Sequence, residues 1–232
     1  MWNKGLSYRE RQGIGQAGMN KDTNSNVGDA LNADTNKSHV VNTDGDASKH
    51  SLGLVFFPAF DWKISETHPE RQERLLYTRD QIVEEGLLDI PNIKEYNPIV
   101  ADWDTIERVH VGAPDLESWV TEAHRVSAGG AIAAADAVMQ GEVDRAFALV
   151  RPPGHHAMAM VHGIRGFCTI NIEAVMIQHM RQTYGIKRVA VVDTDVHHGD
   201  GSQDVFYHDP DTLYISFHQD GRTLYPGTGF MD

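Results

Sequence analysis

Cysteine is nearly absent. Cys168 is the single one in 232 residues, so no disulfide can form within the chain and nothing asks for an oxidising compartment. The expectation for Cys168 is a small buried apolar residue. Long apolar runs are missing too: no stretch approaches the about 18 residues of a membrane span, and no apolar segment follows a basic start. Basic charge is in short supply, with 20 Lys and Arg against 33 Asp and Glu and a formal net charge of −13. That balance argues against a dedicated nucleic-acid surface, because phosphate binding needs an excess of Lys and Arg on some face. No direct contact with nucleic acid or membrane is expected, and the simplest location is cytoplasmic, or nuclear in a eukaryote. No feature of the sequence fixes an oligomeric state.

Residues 1–50 are poor in large apolar side chains and rich in Asn, Asp, Gly and Ser (KDTNSNVGDALNADTNKSHVVNTDGDASKH). Such a segment cannot bury enough area to offset ordering entropy, which predicts a disordered leader before a domain over 51–232. At Leu52 the pattern changes to LGLVFF, a run suited to a buried strand. PERQERLLYTRDQIVEEG then predicts a helix opening at Pro69 and stopping at Gly86. A second helix is expected over 118–140, where small residues allow close packing, with its end near Gly141. Strands over 146–150, 188–193 and 212–217 alternate with helices near 172–183 and 202–208. This alternation predicts an α/β fold of three layers, a mainly parallel sheet with helices on both faces, and no internal repeat.

In such sheets ligands bind beyond the carboxyl ends of the strands. RPPGHH, DTDVHHGDG and SFHQDGRTLYPGTG follow the strands over 146–150, 188–193 and 212–217, which directs three polar loops toward one rim. Asp195 and His197 are two residues apart, so on an extended segment their side chains share one side and can share a metal. A hydrolytic zinc usually takes three protein ligands and keeps a position open, so a further Asp, Glu or His is required. Taken alone, an Asp-x-His is read first as a capping Asp beside a surface His. Here, however, Asp193, Asp195, His197, His198 and Asp200 crowd one strand tip, and such crowding needs a cation or shifted pKa values.

Arg151-Pro152-Pro153-Gly154-His155-His156 presents adjacent imidazoles on a loop stiffened by two prolines and released by Gly154, which can adopt φ > 0. Taken alone it is a turn with solvated histidines. Against that, the other loop leaves two carboxylates after metal binding, Asp193 and Asp200, and each could orient one imidazole through its second nitrogen. Histidine suits both taking a proton from water and returning one to a leaving amine near neutrality.

RPPGHH (151–156), GFCTIN (166–171), VDTDVHHGDG (192–201) and LYPGTG (224–229), in this order and spacing, resemble the histone deacetylase and acetylpolyamine deacetylase superfamily, which shares its fold with the arginases. HPERQER (68–74) resembles a segment near the start of that domain, and the likeness runs from about Leu54 to the last residue. The resemblance implies that Asp195 and His197 bind Zn²⁺, with Fe²⁺ as the other candidate. It implies that His156 with Asp200 serves as general base and acid and that His155 pairs with Asp193. Gly166 and Phe167 would line an acyl-lysine tunnel opposite Tyr225. A structural K⁺ would be held by Asp193, Asp195, His197, Ser216 and Phe217, largely through backbone carbonyls.

The implied reaction is amide hydrolysis on an acetylated lysine of a protein or on a small acetylated amine. Family members continue past the PGTG turn, and the third zinc ligand (an Asp) and an oxyanion-binding Tyr have no matching position here. Asp220 and Asp232 stand in the wrong context to replace the Asp. The expectation is therefore a partial deacetylase domain, truncated at its C-terminus, whose 232 residues alone have little activity while a longer parent is active. Two other readings are a binuclear manganese ureohydrolase of the arginase type and an inactive fragment that binds acylated ligands.

Overall fold

The computed structural model describes residues 50–57, 65, 67–111, 120, 122–161 and 163–231. The leader expected over 1–50 lies outside them except for His50, as does Asp232. The apolar run at Leu52 forms strand β1 (Leu52–Phe56), whose three middle residues are buried. β1 lies between β2 (Ile93–Tyr96) and β3 (Arg145–Leu149), and both pairings are parallel. A second parallel pair joins β4 (Val189–Asp193) to β5 (Thr212–Ser216), with Asp193 in register with Ser216. Among the described residues these are two sheets rather than one, so the rim expected from a single sheet is assembled across a break between β3 and β4.

Among the described residues five α-helices follow in order: α1 (Glu73–Glu84), α2 (Trp103–Val109), α3 (Glu122–Met139), α4 (Ile172–Tyr184) and α5 (Asp200–Phe206). α1 begins four residues after the expected Pro69, because Glu70 turns inward to an ion pair described below instead of joining a helical turn. β2 and α2 were not expected. α2 nevertheless carries a readable start: the Asp102 carboxylate accepts from the Thr105 amide at 2.7 Å, an N-cap bond that satisfies an orphan donor. Asn171 caps α4 in the same way through the Ala174 amide.

The core joins the two sheets through helices. Ile106 and Val109 of α2, Ala128 and Ile132 of α3, and Val175 and Ile177 of α4 are buried together, with Val189, Val191 and Tyr214 packed against them. The small residues of α3 do what their size predicts: a Cβ on Gly129 would lie 1.9 Å from the Ile99 carbonyl oxygen. Alternation along β4 and β5 sends the other side chains away from this core. Val192, Leu213 and Phe217 are 56%, 59% and 65% exposed, so helices cover one face of this sheet, not both, among the described residues.

Candidate active site

The loop after β3 is fixed before it presents any chemistry. Ser127 of α3 donates to the Pro152 carbonyl at 2.7 Å, and the Ser202 amide of α5 donates to the His155 carbonyl at 2.9 Å. Gly154 is not among the residues with positive φ, which corrects the expectation of a left-handed release. Space is the reason for a glycine there: a Cβ would sit 2.4 Å from the Ile172 amide nitrogen and 2.6 Å from a Glu173 carboxylate oxygen.

Held this way, the two imidazoles reach different carboxylates. His155 Nδ1 lies 2.9 Å from Asp193 Oδ2, and His156 Nδ1 lies 2.8 Å from Asp200 Oδ1. Burial opposes ionisation of Asp193, but the bonds from His155 and Tyr214 outweigh it and hold the carboxyl at about 2. Asp200 is also held below the usual carboxylate range, against its burial, by His156 and Arg165. Both carboxylates are therefore acceptors, which puts the Nδ1 proton on each ring and leaves each Nε2 for other work.

The pKa values of the two rings move in opposite directions. Burial lowers the pKa of His155, yet the bond and charge of Asp193, with the charges of Asp195 and Glu173 behind it, raise it above the ordinary value overall. For His156 burial prevails over the Asp200 bond, and the positive charge of His155 pushes the same way, so its pKa is lowered. The ring centroids are 4.0 Å apart.

Beyond β4 the chain bends. The Asp195 carboxylate accepts from the His197 amide at 2.8 Å and approaches His197 Nδ1 at 2.9 Å. This is a tight local turn rather than the extended segment expected, although it brings the two side chains together as required. One carboxylate oxygen and one imidazole nitrogen converging at the pocket suit a zinc or iron ion in kind. They are two donors where a hydrolytic zinc usually takes three, and no cluster of three or more His, Cys, Asp or Glu side chains able to hold a metal occurs among the described residues. The donor set fits such a metal in part.

His155, His156, Asp195 and His197 open on one cavity of about 480 Å³, with Gly166, Phe167 and Tyr225 in its wall. Phe167 stands edge-on to His68, ring centroids 4.7 Å apart, and Tyr225 stands edge-on to His156 at 5.0 Å. Gly166 has φ +52, and a Cβ there would be 2.1 Å from His156 Cδ2. Ser216 and Phe217 come to the end of β4 as well, where the Phe217 amide donates to the Asp193 carbonyl at 2.9 Å. Cys168 is buried and burial pushes its thiol up, in keeping with the apolar role expected of it.

Four partners were not foreseen. Glu70, from HPERQER, is buried and receives two bonds from Arg151, at 2.8 and 2.6 Å, and one from Arg74; both arginines line the cavity. Tyr214 donates to Asp193 Oδ2 at 2.7 Å, and Arg165 donates to Asp200 Oδ2. Glu173 has a buried carboxylate oxygen without a hydrogen-bond partner and a pKa raised chiefly by burial. Only the Glu70–Arg151 pair had a signal in the sequence, since each residue lies in a motif, but nothing joined positions 81 residues apart.

Comparison with known proteins gives concordant results. The profile of the histone deacetylase domain matches residues 114–232. A probable deacetylase of Archaeoglobus fulgidus is 40% identical over 199 residues, 78% of this chain and 54% of that protein. Polyamine deacetylase HDAC10 of Mus musculus is 34% identical over 174 residues, 75% of this chain and 22% of that protein. The crystal structure of the HDA15 HD domain superposes with a TM-score of 0.66 at 30% identity, over 77% of this chain and 57% of that one. The chain thus spans just over half the length of the archaeal protein and of the solved domain.

Proposed function

This chain belongs to the histone deacetylase family, and on that premise we propose that its pocket serves a metal-dependent hydrolase of acyl amides, with acetyl-lysine in a protein or a small acetylated amine as substrate. One observation carries the reading: adjacent imidazoles, each bonded through Nδ1 to a separate carboxylate, face the same cavity as the oxygen and nitrogen of Asp195 and His197. A shared orphan turn would not pair both rings this way.

Asp195 and His197 are the proposed metal ligands, and a third donor must come from outside the described residues. Zinc held there would supply Lewis-acid polarisation of the acyl carbonyl. The chain's own groups manage protons and shape. His156, neutral near pH 7 because its pKa is lowered, takes a proton from the attacking water at Nε2 and returns it to the leaving amine. Asp200 keeps the other ring proton on Nδ1 throughout. His155, whose pKa Asp193 raises against its burial, lines the same cavity beside His156. Phe167 and Tyr225 would flank the aliphatic stem of the substrate, and Gly166 leaves room for the His156 ring. A structural K⁺ at the carbonyls of Asp193, Asp195, His197, Ser216 and Phe217 belongs to the same proposal.

With two donors assembled, the 232-residue polypeptide by itself should turn over little substrate. A polypeptide of full deacetylase-domain length that contains it should release acetate from an acetyl-lysine peptide or an acetylated polyamine, and chelation should abolish the activity. Release of urea from a guanidino compound with manganese, and no acetate release with zinc or iron, would overturn the reading in favour of the arginase type.

A further inference from the structure

Resting on the reading of His156 and Asp200 as the proton-handling pair, we propose that Arg165 is a positioning residue that clamps Asp200 and thereby fixes the His156 ring against the pocket. Asp200 uses each oxygen once: Oδ1 accepts from His156 Nδ1 at 2.8 Å, and Oδ2 accepts from the Arg165 guanidinium. A carboxylate held at one oxygen can still swing about its Cβ–Cγ bond. Held at both, its plane is set, and with it the direction of the His156 N–H.

Arg165 belongs to a four-residue hairpin that touches His156 in two other places. Arg165 and Cys168 exchange both backbone hydrogen bonds at 2.8 Å. The two residues between them, Gly166 (φ +52) and Phe167 (φ +70), are both left-handed, the signature of a type I′ turn. Gly166 lies against the imidazole, where a Cβ would come within 2.1 Å of Cδ2. The Cys168 sulfur accepts from the His156 backbone amide at 3.4 Å. The same hairpin therefore meets His156 at its ring face and its backbone, and through Arg165 and Asp200 at its Nδ1.

The guanidinium approaches from outside the acyl pocket. Arg165 and Asp200 both line a separate cavity of about 290 Å³, together with His198, Asp204 and Tyr207. The Arg165 side chain is 42% exposed, whereas that of Asp200 is 5% exposed. It acts on the reaction through Asp200 alone, and it couples the turn that walls the tunnel to the group that moves the proton.

Nuclear magnetic resonance of the 232-residue protein carrying ¹⁵N-labelled histidine tests this without any turnover. The His156 Nδ1–H resonance is identified by its loss in His156→Gln. In Arg165→Met this proton should exchange with solvent about tenfold faster, the effect of losing a bond to a charged group. Arg165→Lys, which keeps the charge and one donor, should recover most of the protection. An unchanged exchange rate in Arg165→Met would overturn the proposal. So would loss of the Cys168 amide protection, read on uniformly ¹⁵N-labelled Arg165→Met protein, since Arg165 would then be a hairpin residue and nothing more. If the exchange behaves as expected but His156→Ala leaves turnover intact in the full-length enzyme, the clamp stands and the catalytic reading of His156 fails.

Discussion

His155 and His156 are neighbours in sequence with the same ring, and each donates a hydrogen bond from Nδ1 to an aspartate at nearly the same distance, 2.9 and 2.8 Å. Their pKa values move in opposite directions. The hydrogen bond is common to both, so it cannot be the cause. What differs is the balance between burial and the charges around each ring. Asp193 is backed by a neutral hydroxyl from Tyr214, and Asp195 and Glu173 add negative charge around His155. For His156 burial outweighs the Asp200 bond, and the neighbouring imidazoles of His155 and His197 push the same way. Burial and the groups around each ring thus move the pKa values of one dipeptide apart.

The largest expected effect is on the acceptor. In a zinc-loaded polypeptide of full domain length, His156→Ala should lower kcat for an acetyl-lysine peptide by about 10² to 10⁴, and His155→Ala should lower it less. Equal losses would erase the contrast between the rings. Next comes Gly166→Ala, whose new methyl would displace the His156 ring alone. A displacement of that kind can cost about 10² in rate, and His155 should keep its Asp193 bond, read from its own ring N–H signal. Loss of both signals would mean that the two pairs form one rigid unit.

Tyr214→Phe addresses the other pair. It removes one donor from Asp193 and should destabilise the fold by about 1.5–3 kcal/mol in urea denaturation, with the Asp193 pKa rising from about 2. Asp193 is depressed in the folded state, so its contribution is full above the ordinary carboxylate pKa and is lost as pH falls toward 2; in Tyr214→Phe that loss should be smaller and complete at a higher pH. The smallest effect near neutrality concerns His110 and His124, buried and both held at about 4 chiefly by burial. The unfolded chain takes up their protons near pH 6.5 and the folded chain does not. Stability is therefore full above about 6.5 and falls as pH drops toward 4, and His110→Gln, which retains hydrogen bonding to the Met158 carbonyl, should flatten that slope.

Much of this was legible before any coordinates. Periodic apolar runs located β1, β3, β4, β5 and the long helices, because burial on one face leaves a mark in the sequence. β2, with the short stretch IKEY, and α2 left little, although the Asp102–Thr105 cap was there to be read. The paired carboxylates of His155 and His156 were foreseen from a match in number between two loops. The opposite shifts of their pKa values were not, because burial and the charges around each ring, Glu173 near His155 among them, arise only through packing. The local turn at Asp195 and His197 also escaped, since a two-residue spacing is compatible with a strand and with a bend alike.

The division between the rings is best tested by following the ring nitrogens of His155 and His156 through a pH titration of the metal-free 232-residue protein. The account predicts two separate midpoints, His155 above about 6.5 and His156 below it. A shared midpoint, or the reverse order, would contradict it.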